Sequence, residues 1–371
     1  MSMQKEAATL ENEEYLTQQL ITYIGNKRAL LNFIGDGIRL VQKRLDKDKL
    51  KIFDVFSGSG IVARYFKQFS SLLIANDLEK YSTVINECYL SNISSLDINY
   101  LKECYSYLIK EVCNLESGII RELYAPKDES NIQKHDRVFY TVRNAKYIDT
   151  MRKLIEKLPL KEQKYFLGPL LSEASIHANT AGVFKGFYKN RKTGIGQFGG
   201  LKQDALFRIT GDINLPFPLF SNFETDTIIC NGDSNKIIET LPEVDIAYLD
   251  PPYNQHPYGS NYFMLNLILD YKYPDRISKI SGIPDNWNRS DYNKGNNAYF
   301  ALLHLISNIN AKYVLISFNS EGFIKLDKMK ELLTKIGKLN VLETKYNAFR
   351  GSRNLNNRKI HVKEYLYLLE K

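Results

Sequence analysis

At 371 residues the chain is longer than one small domain requires and long enough to bury a large core together with an inserted module. Hydrophobic residues at 44% and charged residues at 25% are ordinary for a globular protein and leave little room for a long disordered tail. A net charge of +8 favours a polyanionic partner, no run of about 18 apolar residues suggests a membrane span, and the polar start MSMQKEAATLENEE has no secretory pattern, so the expected compartment is the cytoplasm. The four cysteines, Cys88, Cys104, Cys113 and Cys230, form no CxxC or Cys/His cluster, which predicts reduced thiols and no metal.

In chain order, KIFDVF at 51–56 reads as a short buried strand running into Gly58 and Gly60, with VARYFKQF after it as a helix. LLIAND at 72–77 is the next strand, and a helix follows from Glu79 to about Leu90. Two βα units in succession predict a parallel sheet. From about Leu96 to Ala181 the alternation gives way to amphipathic helices, with ELYAPKDESN as a loop and LPLKEQ as a turn into a helix carrying Phe166 to His177. Alternation resumes with TIIC (227–230), a helix over Lys236 to Leu241, DIAYLD (245–250), a helix through Leu265 to Leu269, and KYVLISF (312–318). LNVLETKYNAF and HVKEYLYLL then predict an antiparallel hairpin at a sheet edge, joined by a basic loop.

In DVFSGSGIVA a strand runs into Gly58-x-Gly60-x-x-Ala63 and a helix, so the backbone turns tightly and a nucleotide-bearing ligand can approach without Cβ interference. The string also matches a dinucleotide fingerprint, so a nicotinamide or flavin enzyme is one alternative. Asp77 closes the second strand, where a carboxylate can accept both ribose hydroxyls, but it arrives sooner than the roughly 20 residues of a nicotinamide site. Asp54 places a second carboxylate toward the same crevice, which suits the cationic amino-acid end of S-adenosylmethionine better than a pyrophosphate; helix capping or loop bonding is its competing role.

Asp250-Pro251-Pro252-Tyr253 directly follows the apolar strand VDIAYL. Two prolines stiffen the chain and remove two backbone donors, fixing an acid, a bare carbonyl and an aromatic ring at a strand's C-terminal end. An exocyclic amine on an aromatic ring is a poor nucleophile because its lone pair is delocalised. The Asp250 carboxylate and Pro251 carbonyl supply the two acceptors that would restore its electron density, while Tyr253 stacks on a base rotated out of a duplex. A rigid turn with a packed tyrosine is the bland alternative.

With these motifs the chain resembles the D12 class of N6-adenine DNA methyltransferases, the Dam-like group with alpha-type motif order, in a restriction-modification-type subgroup. Tyr23-Ile-Gly25-Asn-Lys27-Arg-x-Leu-Leu resembles that family's N-terminal motif over the methionine end of the cofactor. Asp54 to Gly60, including Phe56, resembles its FxGxG loop; Ala75-Asn-Asp77 resembles its ribose-binding partner, and Asn231-Gly-Asp233 the acidic position at the cofactor adenine. DPPYNQHPYGSNYFMLN resembles an extended catalytic loop in which Tyr258, Asn261 and Tyr262 help build the base pocket; His256-Pro257 departs from the pattern and leaves the role of His256 open. SFNSEGF at 317–323 and VKEYLYLL near the end also resemble family segments.

The resemblance implies an α/β, Rossmann-like fold that binds S-adenosylmethionine, with a mostly parallel sheet, an antiparallel C-terminal hairpin and an inserted helical target-recognition module. The implied division is 1–95 with 222–371 as the catalytic domain and 96–221 as the inserted DNA-binding region. In AGVFKGFYKNRKTGIGQFGG the resemblance points to a DNA-approaching segment: Lys185, Lys189, Arg191 and Lys192 are candidate phosphate or base contacts, and Asn190, Arg191 and Gln197 candidate base readers. Asn319 and the stretch from Arg350 through Arg353 to Lys359 are further phosphate-side candidates, a solvated basic loop being the alternative for each. The expected partner is double-stranded DNA, with no membrane, a companion restriction endonuclease acting independently, and a monomeric or weakly dimeric state. Cytosine N4, RNA adenine or a glutamine amide could use the same amine-polarising device, and a non-catalytic DNA-binding protein on this fold is the reading from another class.

Overall fold

The computed structural model describes residues 10–201, 203, 205–252, 255–319, 322–347 and 361–371. Among these, seven strands form one sheet: β1 (Leu50–Asp54), β2 (Ser70–Asp77), β3 (Asp226–Asn231), β4 (Val244–Leu249), β5 (Ala311–Asn319), β6 (Lys338–Asn347) and β7 (His361–Glu370). Their order is β3-β2-β1-β4-β5-β7-β6. The first five run parallel, and β7 runs antiparallel to both β5 and β6.

The C-terminal runs do pair as a hairpin, but the second of them is interior. β7 inserts between β5 and β6, which leaves β6 on the edge. Burial explains the choice: Glu364 to Leu369 is buried on both faces, whereas β6 alternates between exposed and half-buried residues.

Successive strand residues face opposite layers. Phe53, Ala247, Leu249, Val314, Ile316, Tyr367 and Leu369 pack beneath the helices Gly295–Asn308 and Leu326–Thr334. Ile52, Ile246, Tyr248, Leu315, Leu366 and Leu368 pack beneath Leu31–Leu45 and Ile61–Phe66. Gly37 lets the helix Leu31–Leu45 lie against the sheet, since a Cβ there would stand 2.9 Å from a Leu315 methyl. The sequence pattern assigned none of the helices Leu31–Leu45, Gly295–Asn308 and Leu326–Thr334.

The interruption between β2 and β3 is helical as expected: Ile98–Glu111, Ile119–Tyr124, Val142–Glu156 and Leu160–Ile176. These helices share one apolar cluster with Lys80–Tyr89 and Phe263–Asp270, so the inserted region grows out of the helices that flank the sheet. No helix among the described residues is long and apolar enough to cross a membrane.

Asp149, fully buried on the helix Val142–Glu156, organises this region. Its carboxylate accepts from the amides of Gly118 (2.9 Å), Ile120 (3.0 Å) and Arg121 (2.8 Å) and from the Tyr271 hydroxyl (2.8 Å). It thus caps the start of Ile119–Tyr124 from a neighbouring helix and ties that helix to the chain beyond Phe263–Asp270. Replacing Asp149 by Ala strands these donors, and the expected cost is about 3 kcal/mol of unfolding free energy, read as a lower denaturation midpoint at unchanged slope in urea.

Candidate active site

The loops after β1, β2, β3 and β4 open onto one cavity of about 570 Å³ at the carboxyl ends of the parallel strands. The glycine turn forms part of its wall. Gly58 adopts φ +53°, and a Cβ there would lie 2.7 Å from the Tyr23 ring, so both the backbone angle and the space require glycine. The Gly58 amide donates to Asp77 Oδ2 (2.8 Å) while Asp77 Oδ1 accepts from the Glu79 amide (2.9 Å). Burial pushes the Asp77 carboxyl up to about 6, against those amide bonds.

Tyr23, Gly25, Lys27, Phe56, Gly58, Asp77, Asp233, Asp250, Pro251, Pro252 and Tyr258 from the sequence analysis all line this cavity. Asp233 also caps a short helix through the Asn235 amide (2.9 Å). Gly60 stands behind the wall at φ +75°, where a Cβ would meet Asn86 Oδ1 at 2.8 Å. Asp54 lies one layer beneath the lining, fully buried, with both carboxylate oxygens short of a hydrogen-bond partner among the described residues. Burial first, and then the Asp250 charge, hold its carboxyl well above the usual range. Tyr253 lies outside the described residues, as do Arg350 and Arg353.

Asp250 follows β4 and is mostly buried, 17% exposed. Lys27 Nζ stands 3.3 Å from its Oδ1 and 2.8 Å from Oε1 of Glu364 on β7. Burial raises the Asp250 carboxyl to about 7, Lys27 opposing and the Glu364 charge reinforcing the shift. Glu79, likewise lifted by burial to about 7, lines the cavity and accepts from the side-chain amides of Asn266 (2.7 Å) and Asn288 (3.3 Å).

The tyrosines divide. Tyr23 stacks on Tyr258 (5.0 Å between centroids) and on Tyr262 (4.8 Å), but Tyr262 is fully buried and Asn261 is 2% exposed. The Tyr262 hydroxyl accepts from the Ile24 amide (2.8 Å) and the Tyr258 hydroxyl donates to the Ile24 carbonyl (3.1 Å). Of these three residues Tyr258 alone lines the cavity; Tyr262 braces its loop against the N-terminal motif, and Asn261 is buried behind it. The opposite wall had no expected role: Asn288 to Asn293, Asn297, Phe300, Ala301 and His304 close it, with the Tyr292 ring edge-on to Phe56 at 5.1 Å.

The basic stretch forms a small hairpin. Lys189 pairs with Gly196, the Asn190 amide donates to the Ile195 carbonyl, and Asn190 Oδ1 accepts from the amides of Lys192 and Thr193. Lys185, Lys189, Asn190, Arg191 and Lys192 are exposed; Gln197 is half-buried and bonded to the Gly199 carbonyl; Asn319 is buried at the end of β5. At the hairpin's root the Phe184 amide donates to the Asn261 carbonyl (2.7 Å), which ties it to the short helix that carries Tyr258.

Asn179, fully buried, fixes the hairpin's base: its amide group donates to the carbonyls of Val138 (2.7 Å) and Gln197 (2.8 Å) and accepts from Gly199 N–H (3.0 Å). Asn179→Ala is expected to speed hydrogen exchange at the Gln197 and Gly199 amides about tenfold or more while the sheet amides keep their protection.

The model of the D12 class N6 adenine-specific DNA methyltransferases matches residues 23–332. Over 359 residues the chain is 32% identical to the type II methyltransferase M.NlaIII of Neisseria lactamica, spanning 95% of this chain and 99% of that protein. It is 29% identical to the type II methyltransferase M.CviAII of Paramecium bursaria Chlorella virus 1, over 94% of this chain and 98% of that one. With the modification methylase StsI of Streptococcus sanguinis it shares 28% identity over 94% of its own length but 52% of the relative's. The matched span runs from the Tyr23 motif through the glycine turn and the Asp-Pro-Pro loop into the helix Leu326–Thr334 beyond β5, and the chain belongs to the D12 class of N6 adenine-specific DNA methyltransferases.

Proposed function

We propose that the cavity holds S-adenosylmethionine beside an adenine extruded from duplex DNA, and that the chain is the modification enzyme of a restriction-modification system. The observation that carries the reading is the meeting of Asp250 and Pro251 with the Gly58 turn and Asp77 on the wall of one cavity. The residues fit such a cofactor. The Gly58 turn lets Tyr23 close against the cavity wall, and Asp54, just behind that wall, keeps two buried carboxylate oxygens without hydrogen-bond partners among the described residues. Asp77 would accept the ribose hydroxyls, Asp233 the adenine amine, and the Tyr23–Lys27 segment would cover the methionine end.

When bound, S-adenosylmethionine supplies an electrophilic methyl group on a sulfonium leaving group. The chain's own groups do the rest. The Asp250 carboxylate and Pro251 carbonyl accept the two N6 hydrogens and return electron density to the nitrogen; Tyr253 stacks on the base and Tyr258 walls the pocket. Fixed acceptors aimed at the reacting amine act by positioning and charge complementarity. Exposed Lys185, Lys189, Arg191 and Lys192 on the hairpin neutralise phosphates, with residues 96–221 as the target-recognition region and 1–95 with 222–371 as the catalytic one. The Asn190 and Gln197 side chains are both bonded within the hairpin, which leaves the exposed Arg191 as the first candidate base reader.

Incubation with tritiated S-adenosylmethionine and genomic DNA, followed by mapping of modified adenines, is expected to show N6-methyladenine at one short recurring sequence; label in cytosine alone, or in RNA alone, would overturn the reading. Asp250→Ala is expected to remove methyl transfer by at least about 1000-fold while cofactor binding, read by calorimetry, changes little. The pH profile carries a sign. The ionised Asp250 is the stronger acceptor and its carboxyl is raised to about 7, so log kcat/KM should rise with unit slope up to that pH and level off above it. A flat profile between pH 5 and 8 would remove Asp250 from this role.

A further inference from the structure

Glu364 had no assigned role, and it is buried completely under the cavity floor. β7 runs against the parallel strands, so its first residues lie beside the carboxyl end of β5, and Glu364 pairs in register with Asn319. A carboxylate at such depth is held by donors or a cation. Its Oε1 accepts from Lys27 Nζ at 2.8 Å and from the Ser317 hydroxyl at 2.6 Å, while its Oε2 has no hydrogen-bond partner among the described residues. The same Lys27 nitrogen is 3.3 Å from Asp250 Oδ1. Two carboxylates therefore share one ammonium, and the shorter contact belongs to the one that does not itself line the cavity.

We infer that Glu364 is a positioning residue for methyl transfer: it draws the Lys27 ammonium to its own side, so that Asp250 remains an open acceptor for the N6 amine instead of closing into a one-to-one ion pair. The inference rests on the proposed function for the role of Asp250, but the sharing of Lys27 is a property of the protein by itself. A lysine given wholly to Asp250 would satisfy that carboxylate and weaken it as an acceptor toward the base. Ser317, donating to the same Glu364 oxygen, fixes the carboxylate in place to hold the lysine.

Charge removal at position 364 has a definite sign. The groups facing Asp250 are Lys27 from the N-terminal segment, Glu364 from β7, Asp54 from β1 and Tyr248 from β4. Of these, Lys27 and Glu364 are the charges that shift the Asp250 carboxyl, Lys27 downward and Glu364 upward, while burial holds Asp54 and Tyr248 well above their own usual values. Glu364→Gln removes the repelling charge and releases Lys27 toward Asp250, and both changes move the Asp250 midpoint down.

The test uses the full chain labelled with 13C at aspartate carboxyls, the Asp250 signal being assigned by its loss in Asp250→Asn. In Glu364→Gln the Asp250 midpoint is expected to fall by about one pH unit, and kcat to fall about tenfold with KM for the cofactor nearly unchanged. Ser317→Ala, a milder change, should shift the midpoint in the same direction by less. Glu364→Asp, which keeps the charge, should restore most of the wild-type midpoint. An Asp250 midpoint unmoved in both Glu364→Gln and Ser317→Ala, with melting showing folded protein, overturns the inference whatever happens to the rate, as does a shifted midpoint at wild-type kcat. Absence of methyl transfer by the wild-type chain would instead overturn the reading of the site, since the NMR titration needs neither cofactor nor DNA.

Discussion

Acidic side chains do not stay charged under protein cover without donors or a cation, and this molecule gathers several of them at one end of its sheet. Asp54 ends β1, Asp77 ends β2, Asp250 follows β4, and Glu364 arrives at the same end because β7 runs in the opposite direction. Among the described residues Lys27 is the cation placed between two of them. The cluster lifts the carboxyls of Asp54, Asp77 and Asp250 above their ordinary values, chiefly through burial. Such an arrangement is unfavourable for folding by itself and favourable for a cationic ligand, which is how a binding site differs from a core. Ligand binding and proton release are coupled in consequence: a positive charge entering the cavity draws those carboxyls back toward ionisation.

The parts of this site that the sequence made legible are those whose geometry is written in neighbouring residues. Gly58 and Gly60 announce positive φ, and both adopt it. Asp-Pro-Pro after an all-apolar strand announces a rigid turn at a strand end, and Asp77 closes its own strand. Strand runs were found within a few residues for the same reason. What was missed depends on contacts between distant positions. Glu364 meets Lys27 across 337 residues, and nothing in VKEYLYLL distinguishes a buried acid from one at a strand's solvent face. Tyr262 and Tyr258 sit four residues apart in one aromatic loop, yet one is sealed in the core and the other lines the cavity; the difference lies in what Tyr23 and Ile24 bring to them. The polar wall from Asn288 to Asn293 reads as an ordinary loop until Asn288 is seen bonded to the Leu78 carbonyl and Glu79. The interior position of β7 follows from its two-sided apolar character, a signal that was present in EYLYLL but needs the flanking β5 to give it meaning.

The hairpin and the chemistry are mechanically continuous, and this bears on how a surface of lysines could serve a buried carboxylate. The Phe184 amide bonds to the Asn261 carbonyl, and the Ser281 hydroxyl to the Lys185 carbonyl. Asn261 leads directly to Tyr262, whose hydroxyl holds Ile24, and Ile24 lies three residues before Lys27. Gly259 lets the segment around Asn288 approach closely, since a Cβ there would lie 2.5 Å from the Asn288 carbonyl. Each link is a short backbone or hydroxyl bond, so a shift of the hairpin bears on both the loop that holds Tyr258 and Tyr262 and the segment that carries Lys27. A duplex docked on Lys185, Lys189, Arg191 and Lys192 would therefore press on the same framework that sets the distance between Lys27 and Asp250. If the hairpin binds DNA and Asp250 accepts from the base as proposed, recognition and the setting of that carboxylate share one set of bonds.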